Sequence, residues 1–131
     1  MDTIIQNIVD IMNHYDIADD NENRDKAQQG SIVILNISKI DNSWKKSRLY
    51  ISPVFSEIEQ KDKYNNSKND LLNMNVEKPP SIFINDMNRK NKYIEFIDGR
   101  NRFSNLREMN CLYMPFIVYN VEKKKLIKLF P

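Results

Sequence analysis

Only two of the 131 residues are glycine, Gly30 and Gly99. The second stands in Phe96-Ile97-Asp98-Gly99-Arg100-Asn101-Arg102, where an apolar run stops and a helical pattern begins. A strand turning directly into a helix offers the unpaired N–H groups and partial positive charge of a first helical turn. A glycine there lets the backbone approach an anion closely and take a positive φ. Arg100 and Arg102 can then grip phosphate oxygens in bidentate fashion. Asp98 suits a divalent ion on the same phosphates, or an ion pair with one of the arginines. As bare pattern, Asp-Gly is also an ordinary turn.

The rest of the composition narrows the chemistry. One cysteine, Cys111, excludes an internal disulfide and a multi-cysteine zinc site, and one histidine, His14, removes most histidine-based metal or triad chemistry. No apolar run reaches the roughly 18–20 residues that span a bilayer, and the acidic N-terminus lacks the basic start of a signal peptide. A cytoplasmic protein without a membrane partner is expected. Residues 1–30 hold seven acids against two bases, a charge of −5, while the remaining 11 acids and 18 bases leave +7. A basic body of this kind is compatible with phosphate-bearing partners, and equally with a solvated surface. The abundance of Asn, Lys and Ile is what A/T-rich coding produces, in a phage, a virus or a bacterium.

Hydrophobic periodicity predicts a helix over residues 2–17, with Ile4, Ile8, Ile11 and Tyr15 on one stripe beside Ile5 and Met12. A polar linker, Asp19 to Asn23, follows. Strands are predicted at 31–37, 81–84, 93–97 and 114–119, from β-branched runs with turn signals between them. The second and third form an antiparallel hairpin around the polar loop 85–91. Ser52-Pro53 opens a helix to about Lys61, the Asn-rich tract 64–70 reads as a loop, and a short helix follows around 70–74. Residues 44–50 favour neither state. Residues 101–110 form a helix with Phe103, Leu106 and Met109 inward, and 121–130 is a fifth strand or a basic tail.

From Ser31 onward the chain resembles the ParB/sulfiredoxin superfamily, in particular its small ParB-like nuclease-type domains. The opening strand Ser31–Ile40 with the turn at Ile37-Ser38-Lys39-Ile40, the proline-led strand from Lys78 to Ile84 and the closing strand from Met114 to Val118 carry part of the likeness. Its specific part is Tyr93 to Phe103, similar to the family's strand-Asp-Gly-x-His-Arg signature. The resemblance implies an α+β fold: a small mixed sheet with helices on one side, here with an added N-terminal helix. The domains expected are an N-terminal helix and acidic linker over 1–30 and a ParB-like domain over 31–131. It also implies that Gly99, Arg100, Asn101 and Arg102 bind a nucleotide such as ATP or CTP, with Asp98 holding Mg²⁺ as the catalytic and metal residue. Family members use this site for CTP-gated DNA clamping, ATP-dependent sulfinic acid reduction, or nuclease and ATPase activity. Two departures matter. Arg100 stands where sulfiredoxin places its reactive cysteine, and Asn101 replaces the usual histidine. Ser104 replaces a further arginine of the segregation proteins, whose helix-turn-helix and dimerisation regions are not expected in a chain ending at Pro131.

Each candidate has a plain alternative. Arg100 and Arg102 can be solvent-facing or fold-internal ion pairs, and Asp98 a helix cap. Glu95 reads as a polar edge position, His14 as a surface residue and Cys111 as a small buried hydrophobe. Trp44, beside Lys45, Lys46 and Arg48, can stack on a base or fill the core. Lys123, Lys124 and Lys125 can track a nucleic-acid backbone or simply be solvated. The function expected is nucleotide or phosphate binding, with weak NTPase or nuclease activity on or with DNA. The alternative is a non-catalytic interaction protein on the same fold, a phage-type host-takeover or anti-defence factor that binds a host protein or nucleic acid.

Overall fold

The computed structural model describes residues 2–53, 61–75, 77–87 and 90–131. Most of the helix expected from Pro53 and the middle of the loop 85–91 lie outside them. The first helix, α1 (Thr3–Asn13), starts where the Asp2 carboxylate accepts from the Ile4 amide at 2.8 Å. Its apolar residues fall into two overlapping stripes. The one that docks is Ile5, Ile8, Val9 and Met12, while Ile4 stays 47% exposed. This rotates the expected face by one position.

α1 ends at Asn13 instead of residue 17, and a second helix, α2 (Ile17–Asn21), capped by Asp16, runs into the expected polar linker. The Asn21 side chain both donates to the Gly30 carbonyl (3.0 Å) and accepts from its amide (2.9 Å), closing one end of the first strand's free edge. Four strands follow among the described residues: β1 (Gly30–Asn36), β2 (Ser81–Asn85), β3 (Tyr93–Asp98) and β4 (Tyr113–Tyr119). They form one mixed sheet in the order β1-β4-β2-β3. β1 pairs antiparallel with β4, β2 with β3 as the hairpin pattern predicts, and β2 lies parallel to β4.

Three segments take helical form against expectation. The turn after β1 is α3 (Ile37–Trp44), capped by Asn36 and burying Ile37, Ile40 and Trp44. The Asn-rich tract lies inside α4 (Lys61–Leu72), where Tyr64 and Leu71, seven residues apart, supply the buried side. Tertiary contact overrides weak helix propensity there. After α5 (Arg100–Glu108) and β4, the C-terminal stretch is α6 (Lys123–Leu129), held down by fully buried Leu126.

Alternation along the strands decides where the core sits. Val33, Leu35, Ile82, Ile94, Phe96, Met114, Phe116 and Val118 join one hydrophobic cluster with residues of five helices, α1 and α3 to α6. The interleaved Ile34 and Ile97 are 51% and 55% exposed. Trp44 is the hub, with ring centroids 4.6 Å from Phe96, 4.9 Å from Tyr50 and 5.5 Å from Phe103. This α+β architecture contains no described helix long and apolar enough to cross a membrane.

Candidate functional site

Strand β3 delivers Asp98 to the sheet's end, and Gly99 turns the chain at φ +88°, in the left-handed region. A side chain there is excluded twice, because a Cβ on Gly99 falls 2.8 Å from both Cα and Cβ of Pro80. The Pro79-Pro80 run therefore packs directly on the junction. α5 begins at once, its first bond running from the Phe103 amide to the Gly99 carbonyl (3.0 Å). Phe103 and Leu106 anchor the helix in the core, which presents Arg100, Asn101 and Arg102 at its open end.

These residues line an open cleft of about 600 Å³. One wall runs from Phe96 to Arg102, Leu49 adds an apolar edge, and Lys63, Asn66, Ser67 and Asp70 of α4 face them. All five signature residues, Asp98 to Arg102, thus come together on one wall. Arg102 Nη2 donates to Asp98 Oδ2 at 3.1 Å, and Arg100 Nη1 reaches the Leu49 carbonyl at 3.4 Å. Gly99 carries no side-chain cap, so Asp98 acts as an arginine partner and not as a helix cap. Three polar atoms of the lining are buried without a hydrogen-bond partner: Asn101 Oδ1, Arg102 Nε and Ser67 Oγ. Buried polar groups left in this way are costly; Trp44 Nε1 and Arg107 Nε, away from the cleft, are in the same state.

Lys63, Arg100 and Arg102 supply three positive charges to the cleft, and Asp70 and Asp98 two negative ones. Among the described residues no three His, Cys, Asp or Glu side chains converge to hold a metal ion. A Mg²⁺ carried in on phosphates needs only one or two carboxylates. Asp98 would meet it, and the ion would supply charge neutralisation.

The remaining candidates lie elsewhere. Lys123, Lys124 and Lys125 are exposed on α6, which packs against β1, at the opposite edge of the sheet from β3. Trp44 is fully buried and fills the core. His14 is exposed and bonds the Asp10 carbonyl, and Cys111 is a buried free thiol whose pKa burial pushes up. Glu95 does sit on the edge strand β3, but it is buried and accepts from Ser47 Oγ at 2.7 Å, because α3 and the loop after it cover that edge.

Sequence reasoning missed α4 as the cleft's second wall; the 63-66-67-70 spacing beside Tyr64 and Leu71 was the available signal. It also missed Arg107. This side chain, 9% exposed, donates to Asp41 (2.9 Å), to Glu108 (2.8 Å) and to the Ile51 carbonyl (2.7 Å), tying α5 to α3 and to the segment beneath the cleft. Burial pulls its pKa down, but the bonds to Glu108 and Asp41 outweigh this and hold it above the ordinary value. Comparison with known proteins gives no match to a family model, a curated protein or a solved structure.

Proposed function

We propose that the chain is a ParB-like phosphate-binding protein that takes a nucleotide, or the phosphates of a nucleic acid, in the cleft at Gly99. The observation that carries this reading is the left-handed glycine delivering Arg100 and Arg102 to a water-accessible cleft at a helix start, with Arg102 Nε buried and unpaired. Leu49 and Ile97, both 55% exposed, give a base an apolar surface beside the phosphate. Weak NTPase or nuclease turnover would draw on Asp98 and Mg²⁺, since Asn101 cannot titrate near neutrality.

Thermal melting with ATP, CTP, GTP and a short DNA duplex, each with and without Mg²⁺, tests the reading. A ligand at 100 times its Kd adds about 2.7 kcal/mol, a shift of several degrees. Arg102→Ala is expected to remove that shift while leaving the unliganded protein folded. Equal shifts in parent and variant would overturn the site.

A second reading, a non-catalytic interaction protein, draws on the half-exposed Ile34 and Ile97 of the sheet face turned away from the core. No shift with any of these ligands, together with capture of a protein partner that Ile34→Asp abolishes, would favour it.

A further inference from the structure

Lys63, Asn66, Ser67 and Asp70 recur at i, i+3, i+4 and i+7 along α4, the spacing of one helical face, and all four line the cleft. The apolar residues of the same helix, Tyr64 and Leu71, are buried instead. The helix therefore turns a wholly polar face toward the arginine wall. Its position is set by a buried amide: Asn105 Nδ2 on α5 donates to the Tyr64 carbonyl (3.1 Å) and to the Asn101 carbonyl (2.9 Å). One side chain thus fixes α4 against the residues that carry the arginines.

The two walls ask for different chemistry. The Gly99 wall carries Arg100 and Arg102 against Asp98, a net positive charge that attracts a phosphate, whereas Lys63 and Asp70 on α4 cancel and Asp70 repels one. A carboxylate beside an amide and a hydroxyl is suited to neutral hydrogen-bond donors, such as sugar hydroxyls or an exocyclic base amine. Ser67 Oγ, on that same wall, is buried without a hydrogen-bond partner.

We infer that α4 is the specificity wall of the cleft, taking the uncharged, donor-rich part of a phosphorylated ligand while the Gly99 wall takes its phosphate. This rests on the phosphate reading above and narrows it. The ligand is a nucleoside or sugar phosphate, and neither a bare phosphate nor a duplex backbone is a full substitute. A site built to hydrogen-bond a group discriminates against the analogue that lacks it.

The test is isothermal titration of the full chain with pyrophosphate, ribose 5-phosphate, ATP and 2′-deoxy-ATP, in EDTA and again with Mg²⁺. In EDTA, one organic phosphate is expected to bind about tenfold or more tightly than pyrophosphate. Asp70→Asn and Asn66→Ala, at exposed positions that leave the fold intact, should each collapse most of that ratio. Loss with ribose 5-phosphate locates the contact on the sugar, and loss with ATP alone locates it on the base. Tighter binding of every compound by Asp70→Asn would show a merely repulsive carboxylate. An effect seen only with Mg²⁺ would make Asp70 a metal contact. Either result overturns the specificity wall and leaves the phosphate site standing. Failure of the parent to bind any of the four removes both.

Discussion

At the scale of single residues, Gly99 leaves little room for change. Its φ of +88° is strained for any side chain, and the space a Cβ needs is held by Pro80 and by Arg102 Nη2, 2.9 Å away. Gly99→Ala is expected to cost about 1–3 kcal/mol in urea denaturation and to displace the Arg102 guanidinium from Asp98. A stability equal to the parent's would mean that the turn relaxes without strain. The turn at this residue was legible in the sequence, because a glycine after an acid at a strand end is an ordinary turn signal. Glu95 was not legible. Alternation gives its side of the strand, but whether that side meets water depends on α3 arriving from fifty residues upstream.

At the scale of elements, Tyr50 and Ile51, in the stretch after α3, are bound to α5 by a polar knot. Tyr50 donates to Asp41 at 3.2 Å, Arg107 joins both, and the Arg107 guanidinium lies 5.7 Å from the Tyr50 ring centroid. Burial, reinforced by the Asp41 charge, pushes the Tyr50 phenol up to about 12 from 10.0. A raised folded pKa means that the native state prefers the protonated form. Its contribution is then complete below pH 10 and is lost as pH rises from 10 toward 12. Urea midpoints across that window are expected to fall more steeply for the parent than for Tyr50→Phe, which has no phenol to ionise. Parallel curves would place the Tyr50 hydroxyl outside the knot. Lysine deprotonation affects both proteins equally and cancels in the difference. None of this knot was visible in residues 44–50, whose pattern favours no regular element; the partners come from Asp41 and from α5.

At the scale of the whole molecule, the helix that precedes the resemblance is part of the core. Ile5, Ile8, Val9 and Met12 are all buried in the cluster that also holds Phe116 and Leu126. Four such side chains represent about 6–12 kcal/mol of burial, comparable with the about 5–15 kcal/mol that holds a typical domain folded. A chain lacking residues 1–15 is expected to lose cooperative unfolding, read by circular dichroism during a thermal scan. A sharp transition near the parent's melting temperature would make α1 an accessory. The sequence alone determined the four strands, the antiparallel hairpin and the Gly99 junction, because these are written in local patterns: β-branched runs, proline placement and a glycine at a turn. Only the tertiary structure decided which stripe of α1 faces inward, that an Asn-rich tract is a helix lining a cleft, and that the C-terminal lysines ride on a helix at the far edge of the sheet. Their local propensities are nearly balanced, so burial of a few side chains, Tyr64, Leu71 and Leu126 among them, tips each segment into its final state.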